Sequence, residues 1–385
     1  MSLILLIAAA DRELPDEFYV SEGEAFSLAG FFSAAEEDQT LSAALSGELP
    51  PREAELRLFG LIPVKTVRMS TEAEEQVLLG GELFGVKMLC DGAIVVKITG
   101  VETADGFVSP AKEAGFEVGD IIRSLDDEEI SGGSDFSEKL NRSGGGKVTV
   151  GVLRGEKTLF FALSPARSAR ENLLRGGMWV KDSSAGIGTL TFLDPQSGAF
   201  GGLGHGICEA ESGVLIPISS GEIEKVRLIG CKKAVSGAAG QLQGYFEGGV
   251  IGKAALNTET GIYGTLFSGD PGGETVCVAH KQNVKKGAAQ ILATVDETGP
   301  QLYEVEIERV RFGENRQTKN LQIRVTDPRL IEKTGGILQG MSGSPILQEG
   351  KLVGAVTHVF LGDPKRGYGI FAETMLRTAQ SCAAA

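Results

Sequence analysis

No CxxC pair and no zinc-type spacing occur among the five cysteines, Cys90, Cys208, Cys231, Cys277 and Cys382. A structural metal is therefore not expected, and no cofactor is implied. The odd count leaves at least one thiol without a partner inside the monomer. No apolar run reaches the ~20 residues that a bilayer-crossing helix needs. The segment Leu3 to Ala10 is apolar but too short, and no basic residue precedes it as a signal peptide requires. It reads as a docked terminus or as the remnant of an anchor. Positive charge is also scarce. The 37 basic residues against 51 acidic ones give a net charge of -14, which argues against nucleic acid or an anionic lipid surface as main partner. Histidine is rarer still, with His205, His280 and His358 alone, so any imidazole base is one of three.

What the chain has in quantity is glycine, 54 residues scattered among Val, Ile, Leu and Thr runs. That pattern predicts many short strands and turns, a mainly β protein. Three units follow from the order of signals. Residues 1–80 read as a small β-rich region, with strand character at Phe18 to Val20 and from Leu56 to Arg68. Residues 81–165 alternate strands (Gly85 to Met88, Gly92 to Ile98, Ile121 to Asp126) with short helices at Ser109 to Gly115 and Asp135 to Leu140. Residues 166–385 hold short strands such as Thr189 to Phe192, Tyr303 to Ile307 and Leu321 to Val325. A helix follows over Ala372 to Cys382.

The chemistry concentrates on Gly340-Met341-Ser342-Gly343-Ser344-Pro345. A serine between glycines ahead of a buried strand can present a nucleophile, and the turn can aim backbone N–H groups at one point as an oxyanion hole. Such a serine needs a base. His205, in Gly204-His205-Gly206, is a candidate, equally readable as a turn histidine. His280, beside Lys281, reads as a surface residue, and His358 as a core or strand-end one. Cys208 is close to His205, but a free cysteine is more often a small buried apolar side chain. Asp327 is the candidate acid, although Asp-Pro after a strand is a routine turn signal.

The run Pro110-Ala111-x-x-Ala114-Gly115 followed by Gly119-Asp120-Ile121-Ile122 resembles a bacterial PDZ domain. That resemblance implies a peptide terminus captured by backbone N–H groups around Phe84, Gly85 and Val86, adding as a strand to the sheet edge. A PDZ unit serving only as a packing or regulatory module is the alternative. Gly204-His205, Val325 to Pro328, Thr334 to Ile337, Gly340 to Pro345, Gly354 to Val359 and Gly367 to Ile370 together resemble the stage IV sporulation protein B peptidases. The resemblance implies a chymotrypsin-like double β-barrel serine endopeptidase, with Ser342 as nucleophile, His205 as base and Asp327 as orienting acid. The N–H groups of Gly340 and Ser342 would be the oxyanion donors. Ser344 is the rival nucleophile, disfavoured by the similarity of Gly340-x-Ser342-Gly343-x-Pro345 to the trypsin-like turn. Met341 replaces the aspartate of that turn, so an ion-pair activation switch is excluded. Asp327 lies 15 residues (342 minus 327) before Ser342, closer than in trypsin-like chains.

The resemblance further implies a sporulation signalling protease outside the cytoplasm, in the forespore intermembrane space, membrane-anchored or released after cleavage. It would cut itself and a membrane-associated regulator of an intramembrane protease, triggering activation of a late mother-cell sigma factor. Two other readings stand beside it. One is a peptide-binding scaffold with an inactive peptidase-like domain. The other is a general envelope protease.

Overall fold

The computed structural model describes residues 14–21, 26–28, 32–35, 52–210, 212–267 and 273–383. The segment Leu3 to Ala10 lies outside them. No described helix is long and apolar enough to cross a membrane. The architecture is mainly β, as the glycine-punctuated sequence predicts.

An N-terminal five-stranded sheet pairs Glu17–Val20 in parallel with Ile62–Thr71, which pairs in turn with Arg52–Leu58. The stretch from Leu56 to Arg68 is thus two strands and a turn. Phe59 makes the turn with a left-handed φ of 54°. The sheet covers its own small core of Phe18, Val20, Leu56 and Met69.

The next strand, β1 (Leu83–Ile98), runs 16 residues without a break. Sequence signals on either side of Gly92 suggest two strands. Gly92 instead takes φ 105° inside one strand, where a Cβ would lie 2.4 Å from the Ile122 carbonyl oxygen. The second half of β1 belongs to a unit holding α1 (Pro110–Ala114), β2 (Ile121–Leu125), α2 (Gly133–Arg142), β3 (Val148–Arg154) and β4 (Lys157–Leu163). Ala93, Val95, Ile122, Phe136, Leu140 and Val150 form its core.

The chain returns along β5 (Met178–Leu193), antiparallel to β1 over most of its length. The first half of β1 and the second half of β5 then join β6 (Ala199–Gly202), β7 (Ile218–Lys232), β8 (Gly240–Thr258) and β9 (Gly261–Leu266). The pairings run β1–β7–β8–β9–β6–β5 and back to β1, closing a six-strand ring. Phe84, Val86, Leu190, Phe200, Ile223 and Ile262 share one buried cluster. Each such side chain taken out of water contributes roughly 1.5–3 kcal/mol.

A second six-strand ring is a closed barrel of β10 (Gly287–Thr294), β11 (Pro300–Val310), β12 (Leu321–Val325), β13 (Pro345–Gln348), β14 (Lys351–Phe360) and β15 (Asp363–Phe371). Period-2 alternation in β11 and β12 turns Tyr303, Val305, Ile307, Leu321, Ile323 and Val325 inward. Between β12 and β13 lies α3 (Pro328–Thr334). After β15 comes α4 (Ala372–Ala383), which packs Met375, Leu376 and Ala379 into a core shared with Phe192 and Tyr263 of the first ring.

Candidate active site

The Ser342 turn joins Leu338–Gln339 to β13 and is clamped by β5 of the other barrel. Thr189 Oγ1 donates to the Gly340 carbonyl at 2.8 Å, and Thr191 Oγ1 to the Gly343 carbonyl at 2.7 Å. The Thr189 N–H donates to the Ser342 carbonyl at 2.9 Å, and the Gly343 N–H to the Val356 carbonyl at 2.7 Å. Gly343 has φ 96°, and a Cβ there would lie 2.0 Å from the Thr189 carbonyl oxygen. No side chain fits, so glycine is a requirement of the clamp. Met341, fully buried, fills the barrel core, and its Sδ accepts from the Leu338 N–H at 3.3 Å.

This geometry separates the two serines. Ser344 is fully buried, and its Oγ has no hydrogen-bond partner among the described residues. Ser342 is half-buried and lines a cleft of about 470 Å³ together with Gly188, His205, Gly340, Thr357 and His358. Its N–H has no acceptor among the described residues. Gly340 and Ser342, the expected oxyanion donors, both line this cleft.

His205 arrives from the first barrel, three residues past the end of β6. Leu203 turns the chain out of the ladder with a left-handed φ of 65°, a strained conformation of the kind found at functional sites. His205 Nδ1 lies 2.9 Å from the Gly206 carbonyl oxygen. We assign the donor proton to Nδ1 on that contact, which leaves Nε2 as the basic atom. Burial pushes the His205 imidazole below its ordinary range, against the opposing pull of the Gly206 carbonyl. The ring is therefore neutral, the form a general base needs.

Ser342 Oγ does not donate to His205. It donates to the Thr357 carbonyl at 2.8 Å. The next residue, His358, packs its ring at a tilt against His205, with centroids 4.8 Å apart and 34° between planes. Burial, reinforced by His205 and Lys319, holds His358 down to about 4. Of the core or strand-end role expected of His358, the core is corrected: the residue lies two positions before the end of β14, with its side chain open to the cleft.

Asp327 is not brought to His205. It N-caps α3, and its two oxygens accept four hydrogen bonds: from the N–H of Arg329, Nε and a terminal guanidinium nitrogen of Arg329, and the N–H of Glu304. The Arg329 guanidinium holds its carboxyl down to about 2. Asp-Pro opening a helix is capping chemistry, so the turn signal in the sequence describes this residue.

Phe84, Gly85 and Val86 are not placed as a peptide-holding loop. They sit near the start of β1, paired with Gly186–Gly188 of β5 on one side and Ile223–Lys225 of β7 on the other. Phe84 and Val86 are buried, and a Cβ on Gly85 would strike the Phe246 ring at 2.0 Å. A strand paired on both edges offers no free ladder to an added peptide. Phe84 also borders a second cavity, of about 590 Å³, which contains neither histidine nor serine.

His280 is buried, not at the surface as its polar neighbour suggests. Its Nδ1 lies 3.6 Å from a Glu373 carboxylate oxygen, and burial is outweighed by that carboxylate, so its pKa is raised. Cys208 is exposed in the cleft, contrary to the buried-cysteine expectation. Its thiol is pushed up by desolvation and Glu259, away from the reactive thiolate. All five cysteines are free. No group of three metal-ligating side chains occurs among the described residues.

Residues 172–376 match the family model described as SpoIVB peptidase S55, and residues 81–164 match that of a PDZ domain. A search of curated proteins finds no match. Among solved structures, the chain is similar to an HtrA-type protease, AlgW, with a decapeptide. The match has 11% identity and a TM-score of 0.33, and covers 53% of this chain and 54% of that one, about half its length. It is also similar to an inactive-form mutant of Rv3671c from M. tuberculosis H37Rv. Here the values are 10% identity and TM-score 0.27, with 51% of this chain and 82% of that one covered.

Proposed function

The chain belongs to the SpoIVB peptidase S55 family, and from that premise we propose that it is a sporulation signalling endopeptidase with Ser342 as nucleophile and His205 as base. That it is a serine peptidase carrying a PDZ domain, a peptide-binding module, follows from the family itself. One observation carries the assignment of residues. Ser342 from the second barrel and a neutral His205 from the first line a single cleft. Attack by Ser342 Oγ, with its proton passing to His205 Nε2, requires Oγ to leave the Thr357 carbonyl. The oxyanion then forms near the Ser342 N–H, which no other group occupies.

Family kinship supports the finer reading. The substrate is a protein at a membrane surface, a regulator of an intramembrane protease. The enzyme works outside the cytoplasm, in the forespore intermembrane space, anchored or released, and cleaves itself. A chromosomal Ser342→Ala substitution in the sporulating host tests this. Loss of self-cleavage and of late mother-cell sigma activity is the expected result. Normal sigma activity with self-cleavage abolished would overturn the signalling role.

A second reading, a peptide-binding scaffold with an inactive peptidase-like domain, draws on the same cleft. The Ser342 hydroxyl is engaged by a carbonyl, and Asp327 is absent from His205. It predicts no adduct between Ser342 and a fluorophosphonate.

A further inference from the structure

We propose that His358 is the positioning residue of His205, holding the base by a tilted ring-to-ring contact where a carboxylate would otherwise orient it. The inference rests on the reading of His205 as base.

Three observations carry it. First, Asp327, the expected acid, is committed to capping α3 and to Arg329. His205 Nδ1 is satisfied by the Gly206 carbonyl next to it in the chain, a contact that fixes the tautomer but leaves the ring free to tilt. Second, the His205 ring is in tilted contact with the His358 ring, 4.8 Å between centroids. Third, β14 is built to aim that side chain. Its ladder with β15 shifts register between Val356 and Val359, and its pairing with β13 reaches no further than Ala355. Irregular strand positions of this kind re-aim side chains beside active sites. Thr357 Oγ1 donates to the Thr318 carbonyl at 2.6 Å, anchoring the irregular stretch. Two consecutive residues of β14 therefore touch both reacting groups, Thr357 the nucleophile and His358 the base.

The groups sharing the cleft on the His358 side come from three elements. They are His205 and Cys208 after β6, Glu259 between β8 and β9, and Arg316 and Lys319 from Glu314–Lys319. Burial, His205 and Lys319 oppose protonation of His358, and burial opposes protonation of His205. Adjacent imidazoles titrate as a pair.

The test is a pH titration of the imidazole C–H signals by NMR, tractable with three histidines, in the full chain, His358→Phe and His358→Ala. Phenylalanine preserves the ring contact, and alanine removes it. The same samples are treated with a fluorophosphonate to give a rate. With His358→Phe, the His205 titration stays within a few tenths of a unit of wild type and the rate within about threefold. With His358→Ala, the His205 midpoint rises toward the ordinary ~6.5 and the rate falls about tenfold or more. Identical His205 titrations in all three chains would overturn the proposal whatever the rates. Failure of wild type to react with the probe would instead strike the assignment of nucleophile and base, and the titration would still decide whether His358 governs His205.

Discussion

Ser342 Oγ donates to the Thr357 carbonyl oxygen at 2.8 Å, in the same cleft where the His205 ring packs at a tilt against His358. The proposed nucleophile and its proposed base are thus both held by β14, the former by a bond that must be exchanged before reaction. A neutral hydrogen bond contributes a net ~1 kcal/mol. Exchanging it for one to His205 therefore slows acylation by about tenfold at most. The contact is a rest position and does not by itself make the site inert.

Asp327→Asn discriminates a capping residue from a catalytic acid. Asparagine caps a helix as well as aspartate does, and the lost ion pair joins a buried carboxylate to a largely exposed Arg329. Activity should stay within about tenfold of wild type, with a small drop in Tm. In a Ser-His-Asp triad the same change costs ~10⁴ in kcat. A loss of that order would return Asp327 to the catalytic machinery.

Activity should persist to lower pH than an ordinary histidine base allows. Burial lowers the pKa of His205, so the neutral ring survives below the usual ~6.5 and the acid limb of kcat/KM lies under that value. A limb centred at 6.5 or above would contradict the geometry.

Folding stability should follow the same sign. The unfolded chain takes up a proton on His358 near ~6.5, whereas the folded chain resists until about 4. Above the unfolded value the contribution is fully present; it is lost as pH falls from there toward the folded one. Urea midpoints at pH 7.5 and 5 should therefore differ more in wild type than in His358→Phe. Equal differences would contradict the shift.

Thr191→Val tests the clamp on the serine turn. Thr191 is fully buried, and its hydroxyl is donated to the Gly343 carbonyl. Valine keeps the shape and leaves the carbonyl unpaired, at a cost of about 1–3 kcal/mol. Unfolding free energy should fall by that amount, with slower acylation as the turn loosens. An unchanged free energy would show that the carbonyl finds another donor.

Much of this was legible in the sequence because it is written in local chemistry. Glycines around Ser342 and His205 mark turns, alternation marks β11 and β12, and Pro110 with Gly115 bounds a short helix. What was hidden depends on pairing. Nothing local shows that Leu83–Ile98 is one strand, because the conformation of Gly92 is set by the neighbouring Ile122. Peptide-loop and barrel-strand readings of Phe84 to Val86 differ only in what lies on their edges. The long β7–β8 pair interleaves glycines and charges and has no clean period, yet its outer edges pair with β1 and β9 in the first barrel. His358 and Asp327 exchanged prominence for a similar reason. A capping aspartate and an acid are the same letter, and the ring contact of His358 with His205 spans two barrels.

The most direct measurement is fluorophosphonate labelling of the purified chain, with the adduct mapped by mass spectrometry in wild type, Ser342→Ala, Ser344→Ala and His205→Ala. The predicted result is one adduct on Ser342, lost in Ser342→Ala, strongly reduced in His205→Ala and retained in Ser344→Ala. An adduct on Ser344, or labelling of Ser342 that is indifferent to His205, would contradict the assignment.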